Sequence, residues 1–151
     1  TVIYNTRRGK SSVWRDSPPP KVFISYRRGS SWSLARSLSN SLTERGADVF
    51  LDIDDINEGR FADIIEKAIE DSDYFIPILS HDTLDSYWCK REIQHALLHD
   101  KTIVPLLVDG YKMDSIPQEI ESLSSHNAIT VLPEFYDAAV DRLAKRFLKL
   151  D

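Results

Sequence analysis

Cysteine is all but missing: Cys89 stands alone among 151 residues. One thiol cannot close an internal disulfide. The chain is therefore no stapled secreted scaffold, and a reducing, cytoplasmic setting is the expectation. Long apolar runs are missing too. None approaches the ~20 residues that cross a bilayer, and no apolar core segment follows the early arginines to make a signal peptide. Positive charge is in deficit. The formal net charge is −5, which gives no electrostatic case for nucleic acid or an anionic membrane as a partner. Glycine is scarce, with five residues. Neither GxxxxGK[ST] nor GxGxxG occurs, so those two glycine-rich phosphate cradles are excluded.

What is present suits a globular fold: 42% hydrophobic and 28% charged residues. A chain of 151 residues is long enough for one domain with a proper core. Residues 1–20 stand apart. Arg7, Arg8, Lys10 and Arg15 against Asp16 give them +3, leaving about −8 on residues 21–151. The "DSPPP" at 16–20 cannot be helix interior or central strand, because proline lacks the N–H, and it reads as a stiff extended linker. The "TVIYN" before it reads either as a strand remnant or as part of a disordered tail. The chain begins at Thr1, and the expectation is a linker or tail from a larger protein over 1–20 and a folded domain over 21–151.

From Lys21 onward β-rich runs alternate with helical patterns. "KVFISY", "ADVFLDI", "DYFIPIL", "KTIVPLLV" and "NAITVL" read as five strands. Between them, "SWSLARSLSNSLTERG" spaces Leu34, Leu38 and Leu42 four apart and stops at Gly46. "RFADIIEKAIEDS" puts Phe61, Ile64, Ile65, Ala68 and Ile69 on one face. "YWCKREIQHALLHD" and "EFYDAAVDRLAKRFLKL" are the remaining helices, and "DGYKMDSIPQEIESLSSH" reads as a long loop with one helical piece. Alternation of this kind predicts an α/β, flavodoxin-like three-layer sandwich, with about five parallel strands and helices on both faces. Ligands in such sheets sit beyond the carboxyl ends of the strands. Those ends carry Ser25 to Arg28, Asp52 to Gly59, and Ser80 to Asp82.

The stretch "YWCKREIQ" (87–94) poses the sharpest chemical question. At about 100° per residue, Cys89, Ile93, Ala96 and Leu97 form the buried face of a helix. Glu92 and Trp88 lie to one side, about 60° and 100° from Cys89, and His95 and His99 continue that flank. Trp88 and Glu92 are therefore i,i+4 neighbours at the margin of the core. A carboxylate beside an indole loses hydration, which tends to raise its pKa and suit it to chemistry. The plainer reading is a solvated glutamate paired with a lysine or arginine, and spacing does not separate the two.

Other stretches are weaker. In "SYRRGSS" (25–31), Arg27 and Arg28 at a strand end are placed either to hold a phosphate or simply to face solvent. "DIDDINEGRF" (52–61) holds three aspartates but lacks EF-hand spacing, so the expectation is a loop that packs on a ligand or neighbour, with no metal. His81, His95, His99 and His126 have no zinc-like spacing with Cys89. Neither Ser25 nor Ser80 sits in a GxSxG elbow. Cys89 reads as a small core hydrophobe.

Taken in order, "VFISYRR", "ADVFLDIDDINEGRF", "FIPILS", "SYWCKRE" and "TIVPLLVDG" resemble a TIR (Toll/interleukin-1 receptor) domain over about residues 21–150. The likeness is strongest to the NAD-cleaving members, those of animal axon degeneration and bacterial anti-phage defence. Receptor and adaptor TIRs commonly carry a proline in the loop after the second strand, and residues 53–60 contain none. The resemblance implies that Glu92 is the catalytic glutamate of a WxxxE placement, with Trp88 its aromatic neighbour. It maps a first-loop arginine onto Arg27 or Arg28. It maps the ligand-facing strand end and following loop onto Asp52, Gly59 and Phe61, with Phe61 near the nicotinamide. It implies an NAD+ glycohydrolase that releases nicotinamide with ADP-ribose or cyclic ADP-ribose. NAD+ is then the substrate, and no cofactor is needed. It further implies self-association through TIR–TIR contacts, in filaments, within defence or cell-death signalling, under an upstream sensor or oligomerisation domain. Three alternatives stay open: a non-enzymatic TIR scaffold, a nucleoside deoxyribosyltransferase-like enzyme, and a binder that recognises a nucleotide without cleaving it.

Overall fold

The computed structural model describes residues 3–5, 18–52, 61–114 and 116–150. In chain order the elements are β1 (Ile3–Asn5), β2 (Lys21–Ser25), α1 (Arg28–Glu44), β3 (Asp48–Asp52), α2 (Ala62–Asp71), β4 (Tyr74–Leu79), α3 (Tyr87–Leu98), β5 (Thr102–Ile103), β6 (Leu106–Leu107), β7 (Ile129–Thr130) and α4 (Tyr136–Arg142). Single 3-10 turns occupy Thr83–Asp85 and Pro133–Phe135, a longer 3-10 stretch runs over Gln118–Ser125, and α4 runs on into a π turn at Leu143–Phe147.

The strands lie in the order β1-β3-β2-β4-β6-β7, with β5 also on β4. Every pair is parallel except β1 with β3. Apart from β1, this is the flavodoxin order, in which the first strand sits inside the sheet and the chain turns outward in both directions from it. Ile3–Asn5 pair antiparallel with the outer edge of β3, in register Ile3 with Asp52. The fourth predicted strand, "KTIVPLLV", divides into β5 and β6. Pro105, between them, has no N–H to give a ladder, although its carbonyl still accepts from Ile129 at 2.9 Å.

Alternation along the strands sends side chains to two cores. Val22, Ile24, Val49, Leu51, Ile76 and Ile78 pack under α1 and α4 with Leu38, Leu42, Val140 and Leu143. Phe23, Phe75 and Leu79 face the other way, against Ile65 and Ile69 of α2 and Ile93 and Ala96 of α3. The Phe23 and Phe75 rings stack at 5.6 Å across β2 and β4. Burying one such side chain stabilises the fold by about 1.5–3 kcal/mol. Helix ends follow their expected chemistry. Gly46, at φ +101°, turns the chain out of α1 in the left-handed region where glycine has no Cβ penalty. Ser86 caps α3, its hydroxyl accepting from the Cys89 N–H at 3.2 Å.

Candidate functional site

The carboxyl ends of β2 and β3 set the site. Ser25 closes β2, in register with Pro77 of β4, while Ile24 pairs with Leu51 of β3. Asp52 therefore lies alongside Ser25 at the same edge. Ser25 shares a face with Phe23, and Asp52 shares one with Phe50, which also packs into the α2–α3 core. Phe61, at the N-terminus of α2, packs against that same core. Both Ser25 and Asp52 are buried.

Helix α3 brings the acid to this edge. Cys89, Ile93 and Ala96 form its buried stripe, as the periodicity predicted, and Glu92 joins them at only 8% exposure. A carboxylate enters a core only when hydrogen bonds replace lost water. Here the Ser25 hydroxyl donates to Glu92 Oε1 at 2.7 Å, a short charge-assisted geometry. At this burial the solvated reading of Glu92 is set aside. Trp88 stands one turn earlier on α3, half-buried. Its ring has Tyr87 edge-on at 4.9 Å and the Arg91 guanidinium carbon at 5.3 Å.

The two arginines part company. Arg27 Nη1 donates to the Asp82 backbone carbonyl at 2.6 Å and stands 3.8 Å from Asp82 Oδ2, tying the loop after β2 to the loop after β4. That second loop is braced from within. The Ser80 hydroxyl donates to Asp82 Oδ1 at 2.7 Å, and the Ser80 N–H donates to Thr83 Oγ1 at 2.8 Å. The Ser80 hydroxyl above all, with help from Ser30 and the Arg27 charge, holds the Asp82 carboxyl below the usual carboxylate range. Arg28 instead lies 5.5 Å from the Trp32 ring and lines a pocket of about 380 Å³ with Trp32, Asp109 and Tyr136. That pocket is on the α1–α4 side of the sheet, and Glu92, Phe61 and Trp88 do not line it.

Of the residues singled out in the sequence, Glu92, Asp52 and Phe61 thus converge on one face, and Arg28 belongs to the other. Gly59 and the rest of 53–60 lie outside the described residues. The sequence reading missed Ser25 as the partner of Glu92. Its position at a strand end was visible, but the contact spans 67 residues of sequence. No helix among the described residues is long and apolar enough to cross a membrane.

Comparison with known proteins adds kinship to this geometry. A family model described as "TIR domain" matches residues 22–144. The chain is 31% identical over 160 residues to the NAD(+) hydrolase SARM1 of Danio rerio, an alignment covering 98% of this chain and 22% of that protein. It is 30% identical over 139 residues to the NAD(+) hydrolase sarm1 of Drosophila melanogaster, covering 85% of this chain and 10% of the relative. Against the NAD(+) hydrolase tir-1 of Caenorhabditis elegans it is 29% identical over 136 residues, covering 82% and 14%. The chain therefore spans about a tenth to a fifth of the length of these relatives. Among solved structures, the TIR domains of the activated Roq1 resistosome share the fold at TM-score 0.70 and 16% identity, covering 84% of this chain and 98% of that one. The TIR domain of the Toll-related receptor TRR-2 of Hydra magnipapillata does so at 0.64 and 24%, covering 85% and 97%.

Proposed function

We propose that this chain, which belongs to the TIR-domain family, cleaves the nicotinamide–ribose bond of NAD+ and that Glu92 is its catalytic residue. The observation that carries the reading is the buried Glu92 carboxylate, held by the Ser25 hydroxyl at 2.7 Å at the ligand-facing edge of the sheet. Relatives named as NAD(+) hydrolases at about 30% identity support the choice of substrate.

The chemistry suits one fixed anion. When the N-glycosidic bond breaks, its electron pair goes to the pyridinium nitrogen and nicotinamide leaves neutral. No general acid is needed. Positive charge develops on the ribosyl ring, and a carboxylate already oriented in a water-poor site stabilises it without reorganisation. Water then forms the new C–O bond and loses its proton, which gives ADP-ribose. Attack by the adenine ring of the same molecule gives the cyclic product instead. Phe61, packed on the same face, supplies an apolar wall for the nicotinamide, and Asp52 reaches toward the ribose hydroxyls.

Self-association switches the activity on, as part of defence or cell-death signalling. The likeness to TIR domains in an activated resistosome supports assembly. Incubating dense and dilute protein with NAD+ and measuring free nicotinamide tests the reading. Nicotinamide should appear, faster per molecule in the dense sample, and Glu92→Ala should abolish it while remaining folded. NAD+ left intact at high protein density would leave a TIR scaffold without enzymatic activity.

A further inference from the structure

Outside the Ser25–Glu92 pair, three side chains from two helices converge on the α2–α3 surface. His95 in the last turn of α3 and His99 at its C-cap sit one turn apart, their ring centroids 4.4 Å from each other. Glu70, in the last turn of α2, puts Oε2 2.8 Å from His95 Nε2 and 4.0 Å from His99 Nε2. One donor atom from each of the three lies within 4.8 Å of the other two. Ligands at about 2.0–2.2 Å from a tetrahedral ion stand roughly 3.3 Å apart, so the 2.8 and 4.0 Å separations bracket the required spacing. Small side-chain rotations would equalise them.

We propose that Glu70, His95 and His99 form a binding site for Zn²⁺ or a similar divalent transition ion, which joins α2 to α3. Two imidazoles and one carboxylate suit zinc, whereas Mg²⁺ and Ca²⁺ favour an all-oxygen set. Three protein ligands leave a fourth position for water. The surroundings fit as well. Glu66 Oε2 lies 3.9 Å from His95 Nδ1, the ring nitrogen left over when Nε2 binds the ion. Closing to hydrogen-bond distance, a carboxylate behind a metal-bound histidine orients the ring and raises its basicity. Arg91 Nη2, 3.5 Å from Glu66 Oε2, steadies that carboxylate, and the Lys101 ammonium donates to the Glu70 backbone carbonyl. The cations Lys67, Arg91 and Lys101 stand beside the carboxylates Glu66 and Glu70 around the histidines. Cys89 is no part of it, being buried in the core. The inference stands apart from NAD+ cleavage and survives if that reading fails.

The test uses the full chain without a histidine tag, stripped by chelator, at about pH 7.5, where ordinary imidazoles are neutral. Calorimetry with Zn²⁺ should show one ion per chain, and Co²⁺ should give a visible d–d band. The melting temperature should rise with Zn²⁺. His99→Ala, at an exposed position, should melt like the parent without metal and bind Zn²⁺ about a hundredfold more weakly. Glu66→Gln should weaken binding about 10–100-fold, and Cys89→Ser should leave it unchanged. No stoichiometric uptake by the parent chain, unchanged affinity in His99→Ala, or a Co²⁺–thiolate band that Cys89→Ser removes would each overturn the site.

Discussion

Replacing Glu92 by glutamine separates what the acid does for the fold from what it does for chemistry. The swap keeps size and an oxygen acceptor for the Ser25 hydroxyl, now 2.7 Å from Glu92 Oε1, removes the charge and turns the second oxygen into an NH2 donor. Hydrogen bonds to charged groups contribute about 1.5–3 kcal/mol and neutral ones about 0.5–1.5 kcal/mol, so about 1 kcal/mol of bonding is lost. A charged carboxylate at 8% exposure carries a desolvation cost of several kcal/mol, which glutamine removes. The balance favours the variant. Stability should hold or rise by about 1–2 kcal/mol, a shift of about 2–4 °C per kcal/mol for a domain of this size. Activity should move the other way. A carboxylate about 4 Å from a developing cation contributes about 4 kcal/mol at an effective dielectric of 20, so turnover should drop about 10³-fold. Calorimetric melting and nicotinamide release on one preparation read both quantities. Turnover within about tenfold of the parent, or a melting temperature lowered by more than about 5 °C, would show that Glu92 is a structural group and refute the reasoning.

Ser25→Ala takes away the donor and leaves the buried carboxylate short of a partner; it should cost about 1–3 kcal/mol in urea unfolding and lower turnover about tenfold or more, most of which disappears when Glu92 is already glutamine. Asp82 has its carboxyl depressed by Ser80, Ser30 and Arg27. The stability it contributes is therefore full above the ordinary carboxylate value near pH 4 and is lost as pH falls through the lower folded value. Melting temperatures followed from about pH 6 to pH 3 should show a steeper acid limb in the parent than in Asp82→Asn, and superimposable limbs would contradict the assignment. Cys89→Ala should cost about 1 kcal/mol in unfolding and leave nicotinamide release intact, because Cys89 is buried against the core.

The alternation of strands and helices and the faces they bury were legible in the sequence because doubly covered strands are apolar throughout and their helices repeat every 3.6 residues. Leu38 and Leu42, Ile65 and Ile69, and Cys89, Ile93 and Ala96 face inward as spacing predicted, whereas Ile64, expected on the same face of α2, is 56% exposed. Pro105 was equally visible, but its consequence, a fourth strand divided into two pairs, depends on what β4 offers opposite it. Side-chain pairings at the site were not legible. Periodicity put Glu92 at the core margin and gave no partner, since Ser25 comes from the first strand of the parallel sheet and meets a helix that follows two crossovers later. The Glu70, His95 and His99 cluster escaped for the same reason. The histidines have no zinc-like spacing with Cys89, and although His95 and His99 stand four apart, as zinc-binding histidines on a helix do, the carboxylate that completes the cluster comes from a second helix.

Charge gives the arginines different weights in the proposed reaction. The dinucleotide brings a pyrophosphate to a domain carrying about −8 over residues 21–151, so a cation near Glu92 would offset that repulsion. Arg28 lines a pocket that Glu92 does not enter, and Arg91 lies against Trp88. Arg27 is two residues beyond the serine that holds Glu92, and its side chain and that of Asp82 are 36% and 44% exposed. An exposed ion pair of this kind contributes only about 0–1 kcal/mol. A pyrophosphate, with two charged groups for the guanidinium to fork between, would replace both the Asp82 carboxylate and the 2.6 Å bond to the Asp82 backbone carbonyl. Releasing Asp82 also frees one tie between the loops after β2 and β4, so binding substrate and reshaping that edge of the sheet become one event. We therefore propose Arg27, rather than Arg28, for the pyrophosphate.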